Sequence, residues 1–158
     1  ENIQLRRVST IDLDSNMKVG LYIHSDSKLG SIVTIEGGSD DMAKDIAMHV
    51  AAFNPICLSE DKIDKEVLDR EKAIYENQAQ ESGKPKEIME KMVEGKVKRF
   101  LAEVSLLSQD FVKDPEMTIQ DYIGSENANI ISFTRLKVGE GIKVETKDFA
   151  DEVAEQLK

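Results

Sequence analysis

Residues 20–55 read GLYIHSDSKLGSIVTIEGGSDDMAKDIAMHVAAFNP, and the order of signals in this stretch decides the kind of fold to expect. Counting Val19 just ahead of it, Val19, Leu21 and Ile23 alternate with Gly20, Tyr22 and His24, the period of a strand with one buried face. Residues 25–28 form a turn, and residues 29–36 make a second strand rich in Ile32, Val33 and Ile35. A connection this short makes the two strands antiparallel. Gly37 and Gly38 then break the strand, and Ser39 stands where a helix N-cap belongs, with Asp40 and Asp41 in the first turn. Met42, Ile46, Val50 and Phe53 follow at helical spacing with Ala43 and Ala47 beside them, small enough for a helix to lie close on a sheet. Asn54-Pro55 ends that helix.

Working outward, residues 3–8 carry Ile3 and Leu5 between Gln4 and Arg6, a strand signal, and residues 12–16 are a turn cluster. Beyond the first helix, Ser59 opens a second helical region. From about residue 62 to 82 its apolar stripe is narrow: Ile63, Val67, Leu68, Ile74 and Tyr75. Gly83 stops it and Pro85 starts another helix, in which Met89, Val93, Val97, Phe100 and Val104 recur at steps of four and three. Two long helices with thin seams and a short turn predict an antiparallel helical hairpin of coiled-coil type over about 62–104. A mixed stretch over 105–115 precedes a short helix at 118–123 and a strand at 129–138 carrying Ile131, Phe133 and Leu136. Gly139 and Gly141 make a turn, residues 143–145 extend a strand, and 146–157 read as a final helix with Phe149, Val153 and Leu157 on one face. The economical layout is an α+β fold whose sheet draws on residues 3–36 and 129–145, with the hairpin as an excursion from it.

Composition narrows the function. The chain has 158 residues, with 21 Lys and Arg against 31 Asp and Glu, a net charge of −10. Such an acidic balance argues against direct nucleic-acid binding, which needs a positive footprint. No apolar run approaches the roughly 20 residues that span a bilayer, so no membrane role is expected. Cys57 is the single cysteine, so no internal disulfide forms, and with no signal-like segment a reducing, cytoplasmic setting is expected.

The residues that carry chemistry are sparse. Cys57, between apolar neighbours, reads as a small buried residue, although a Cys57–His49 pair in a hydrolase is the competing reading. Cys57, His24 and His49 are too few for a zinc site. Asp12, Asp14 and Asn16 imitate the start of a calcium loop, but Met17 replaces its glycine and Ile23 its final glutamate. Gly37-Gly38-Ser39 lacks the lysine of a phosphate loop, and Asp40 and Asp41 would repel an anion. His24, at a strand end beside a turn, is placed for contact with a partner, whereas His49 on the first helix reads as buried or as a contact. No catalytic, metal or cofactor residue is assigned. The pattern favours interaction over catalysis.

Several segments are similar to the C-terminal part of elongation factor Ts, the bacterial nucleotide-exchange factor family: ENIQLRRV from residue 1, DIAMHVAAFNP from 45, SGKPKEIMEKMVEGKVKRFLAEVSLLSQDFV from 82, FTRLKVGEGI from 133 and DFADEVAEQL from 148. The resemblance covers nearly the whole chain. It implies a three-stranded antiparallel sheet with packed helices and an inserted coiled coil, a core half over residues 1–145 and a C-terminal helical module over 146–158. It implies elongation factor Tu as partner, in its GDP-bound and nucleotide-free forms, promotion of GDP release without covalent chemistry, and self-association through the core. It also implies partner contacts at His24, in YIHSDSKLG, with Tyr22 and Ser25 beside it; at His49 and Phe53, in IAMHVAAF; and at Phe149 and Val153 in the last helix. The family's three-helix N-terminal module and its Thr-Asp-Phe-Val motif have no counterpart in this sequence. QDFV at residues 109–112 matches a different family segment, so Asp110 and Phe111 are not given the exchange role. A scaffold or dimerisation domain with little exchange activity of its own is the alternative.

Overall fold

The computed structural model describes residues 10–141 and, ahead of them, residues 5 and 8. Two strands, β1 (Met17–Ile23) and β2 (Leu29–Glu36), lead into helix α1 (Asp40–Phe53). Helices α2 (Lys65–Glu81) and α3 (Lys86–Val104) follow, then a short ribbon of β3 (Asp110–Phe111) and β4 (Asp114–Thr118), helix α4 (Ile119–Ser125) and strand β5 (Asn129–Lys137). The main sheet is antiparallel throughout, in the order β1-β2-β5, so the strand that closes it arrives about a hundred residues after its neighbour.

Register explains how α1 sits on this sheet. One face presents the rows Gly20–Val33–Phe133 and Tyr22–Ser31–Arg135, and α1 lies across it. A Cβ placed on Gly20 would stand 1.9 Å from the Ala43 carbonyl oxygen, so only glycine lets the helix backbone come this near. Ser31 donates its hydroxyl to the Ala47 carbonyl at 2.5 Å, and Arg135 donates Nε–H to the Ala51 carbonyl at 3.1 Å. Ala51 lies in the last turn, where carbonyls lack intrahelical partners and the dipole is negative, and α1 has no basic residue of its own there. Arg135 therefore supplies that charge from the neighbouring sheet. At the other end Ser39 accepts from the Met42 N–H, and Asn54 closes the helix in the left-handed conformation, its N–H on the Val50 carbonyl. Val33, Ile35, Met42, Ile46 and Val50 are fully buried between the layers, with Leu106 and Ile119 completing the core.

The paired helices α2 and α3 contact each other across residues 82–85, and Lys96 of α3 reaches both Gln78 and the Tyr75 ring of α2. Asp64, rather than Ser59, caps α2: Ser59 starts a single 3-10 turn at Glu60–Lys62. Ile74, expected in the seam, is exposed, and Ala79 is the buried residue of α2. The stretch over 105–115, read as mixed, holds a 3-10 turn at Leu106–Ser108 and the start of the β3–β4 ribbon, whose strands are too short and polar to show alternation. Thr118 caps α4 through a reciprocal capping box with Asp121.

The strand expected over residues 3–8 is corrected where it can be judged. Leu5 and Val8 belong to no strand and are exposed, because β1 begins only at Met17, where pairing with Glu36 becomes available. The other residues of that segment, the extension at 143–145 and the final helix with Phe149, Val153 and Leu157 lie outside the described residues.

Gly20→Ala drives a methyl into helix backbone that cannot yield, so it should lower the urea midpoint by about 1–3 kcal/mol equivalent. Gly30→Ala, whose new methyl makes ordinary contacts with the Tyr22 carbonyl at 3.4 Å and Ile23 Cγ1 at 4.0 Å, should change it by less than about 0.5 kcal/mol.

Candidate partner-binding surface

The residues singled out in the sequence fall into two groups. The first is at the β1–β2 connection. Tyr22, near the end of β1, and His24, just beyond it, are two apart, and the Tyr22 hydroxyl lies 3.2 Å from His24 Nδ1. The Tyr22 ring leans on the core while His24 and Ser25 are exposed. The connection is tied down by its own backbone. His24 N–H donates to the Leu29 carbonyl, Ser27 N–H to the His24 carbonyl, and Lys28 N–H to Asp26 Oδ1. Ser27 takes the left-handed conformation at φ 57°. Val138 N–H donates to the Lys28 carbonyl, so the turn is also anchored to the chain leaving β5. A hydroxyl and an imidazole are thus held on a rigid projection.

The second group is at the C-terminal end of α1. His49 is fully buried, so its imidazole is interior in this chain. Its Nδ1 accepts the Val112 N–H at 3.2 Å and its Nε2 lies 3.0 Å from Gln109 Oε1. Gln109 Nε2–H in turn donates to the Glu103 carbonyl at 2.7 Å, leaving Oε1 as the acceptor. The ring is therefore the neutral Nε2–H tautomer. Burial holds it below the ordinary histidine value, while the Gln109 hydrogen bond opposes that shift. Phe53, one turn on, stacks against the imidazole at 4.6 Å and 9° and is 49% exposed. Ile56 is exposed just beyond it.

Behind this group, Phe111 stacks on Tyr122 at 4.3 Å. Tyr122 donates to Asp45 Oδ2 at 3.3 Å, and Lys113 pairs with Asp45 Oδ1 at 2.5 Å. Burial, with the Asp45 carboxylate beside it, pushes the Tyr122 hydroxyl up to about 12. Phe111 is core and Asp110 is exposed, an arrangement of packing rather than of a reacting pair. Gln109 and Arg135 were not singled out in the sequence. Nothing in linear spacing links Gln109 to His49 or Arg135 to Ala51, sixty and eighty-four residues away.

Cys57 is buried, with Sγ near Ser105 Oγ at 3.4 Å and the Val104 carbonyl at 3.9 Å, and is remote from any imidazole hydrogen bond. The Cys57–His49 hydrolase pair is thereby replaced by a structural thiol, since both ring nitrogens of His49 are engaged elsewhere. Among the described residues no group of three or more His, Cys, Asp or Glu is arranged to hold a metal ion, and no helix is long and apolar enough to cross a membrane.

A third surface is the sheet face turned away from α1. It carries the rows Leu21–Ile32–Thr134 and Ile23–Gly30–Leu136, and Val19, Leu21, Ile23 and Leu136 are all exposed on it.

The family model described as elongation factor TS matches residues 1–140. Elongation factor Ts of Francisella tularensis subsp. novicida (strain U112) is 49% identical over the whole chain, which covers 53% of that protein. Elongation factor Ts of Hahella chejuensis (strain KCTC 2396) is 48% identical, again over the whole chain and 54% of that protein. The chain spans about half the length of these curated relatives. On a match of this extent, the chain belongs to the elongation factor Ts family.

Proposed function

We propose that this chain supplies a docking surface for elongation factor Tu in translation elongation, and that the protein it represents promotes GDP release as a guanine-nucleotide exchange factor rather than as an enzyme making or breaking bonds. The observation that carries this reading is family membership over nearly the full chain, joined to an exposed, rigid Tyr22–His24–Ser25 projection. Exchange of this kind is reciprocal coupling: a factor that weakens GDP binding is itself weakened by GDP. His24 and Ser25 are the contacts, Tyr22 orients the imidazole, and Phe53 offers an apolar ring backed by His49. Phe149 and Val153 belong to the same proposal as a further contact in the C-terminal module, residues 146–158, appended to the core half at 1–145. The paired helices α2 and α3 are read as an antiparallel coiled-coil arm, and the setting as cytoplasmic.

A second reading has its own support. The apolar row Val19, Leu21 and Ile23 lies on β1, the edge strand of the sheet among the described residues, and an exposed apolar face at such an edge favours association with a second copy of the chain. Docking then contributes little and self-association dominates.

Titrating the chain into elongation factor Tu loaded with fluorescent GDP separates these readings when paired with sedimentation at several concentrations. Saturable binding that His24→Ala or Phe53→Ala weakens by about 1–2 kcal/mol each supports docking. Faster GDP release would add exchange to it. A folded chain that self-associates and leaves elongation factor Tu untouched would sink the docking reading in favour of the scaffold.

A further inference from the structure

We infer that His49 is a positioning residue: as its Nε2–H tautomer it latches α1 to the β3–β4 ribbon and sets the attitude of the half-exposed Phe53 ring. The assignment of Phe53 to a partner surface rests on the function proposed above. The latch itself does not.

The latch is built from two hydrogen bonds of opposite sense. Nδ1 accepts from the Val112 backbone, and Nε2–H donates to Gln109, whose own amide is locked on the Glu103 carbonyl. Val112 directly follows β3, so this bond joins the ribbon to the helix. One hydrogen bond accepted at Nδ1 and one donated from Nε2–H fix the ring plane, and the stacked Phe53 ring lies 9° from it. An imidazolium cannot make the Val112 bond, because a second N–H would face the backbone N–H.

The charged groups on the elements around the ring are engaged elsewhere. Asp45, one turn earlier on α1, holds Lys113 and Tyr122. Glu103 at the end of α3 pairs with Arg99 at 2.8 Å. On the ribbon, Asp110 is exposed, and Asp114 accepts the Glu116 N–H at 3.2 Å. Neither ring nitrogen meets a carboxylate, so a positive ring has no counterion in its hydrogen bonds. The direction of the pH effect follows. Burial lowers the folded value beneath 6.5, so the unfolded chain takes up the proton more readily. The contribution to stability is present above that unfolded value and falls as pH drops from it toward the folded value.

The test uses the full chain labelled with nitrogen-15. Long-range imidazole spectra should show Nε2 protonated and Nδ1 bare at neutral pH. On acidification, ring protonation should coincide with exchange of the Val112 amide that is faster by about fivefold or more, the equivalent of one hydrogen bond, while β2 amides are unaffected. The opposite tautomer, or Val112 exchange indifferent to the ring's titration, would overturn the latch. His49→Asn keeps an acceptor near the Nδ1 position without a titrating group. It should keep Val112 protected and erase the pH dependence; continued pH dependence counts against the latch. If it does not fold, the native-chain measurement decides. Binding to elongation factor Tu over the same pH range tests Phe53's part. Affinity lost on acidification in the native chain but not in His49→Asn supports it, and equal loss in both overturns it. A chain that does not bind at all removes the partner surface while the Val112 result still judges the latch.

Discussion

The absence of a side chain at Gly20 governs the rest of the molecule. Because no Cβ intervenes, the backbone of α1 rests directly on β1 around Ala43. The layers are then close enough for Ser31 to reach the Ala47 carbonyl and Arg135 the Ala51 carbonyl. With β-branched residues at those places the helix would stand off by the thickness of a side-chain layer, and neither bond would form. The same closeness presents the other flank of α1, with Met42, Ile46 and His49, to the Leu106–Phe111 segment and to α4. The layer against the sheet is therefore tight, with two polar contacts set among apolar residues such as Val33, and the other flank is filled by larger residues. This division lets a buried imidazole lie in the core with both nitrogens satisfied.

Much of this was legible in the chain because local chemistry and global packing agree. The Gly37-Gly38 break, the Ser39 cap and the Asn54-Pro55 stop are each resolved within a few residues, and strand β2 and helix α1 appear where those signals put them. The alternation in β1 marked a strand but not its buried face: Val19, Leu21 and Ile23 are exposed, and it is Gly20 that lies against α1. The paired helices were legible from Gly83, Pro85 and the periodicity after Met89. The β3–β4 ribbon was not, because two strands of two and five residues leave no period to read. Leu5 and Val8 show the converse: they belong to no strand, since alternation over a few residues states a preference but does not supply a partner.

The candidate surface divides along the same line. His24 and Ser25 stood out because a turn after a strand is local information, and the structure holds them exposed on a braced projection. His49 remained ambiguous in the sequence because its fate depends on Gln109 and Val112, which only the fold brings to it. The aromatic at Phe53 belongs to both worlds. Its helical spacing marks it as core, yet α1 ends there, so one side packs on an imidazole and the other meets water. Interaction surfaces of this type combine a fixed apolar ring with polar groups at the rim, and they act by shape and desolvation rather than by chemistry.

The pairing of β2 with β5 bears on how the chain is made. Arg135 completes the end of a helix that finishes at Phe53, and β5 covers the second edge of β2, yet both become available only after α2, α3 and the ribbon have been synthesised. At translation rates of about 5–20 residues per second, several seconds separate emergence of β2 from arrival of its last partner. During that interval the nascent chain carries an open strand edge and a helix end that Asn54 closes but Arg135 has not yet reached. The intervening helices contact mainly each other, so they can form at once without waiting for the sheet. Completion of this sheet thus depends, during synthesis, on how long β2 and α1 can wait for the strand that joins them last.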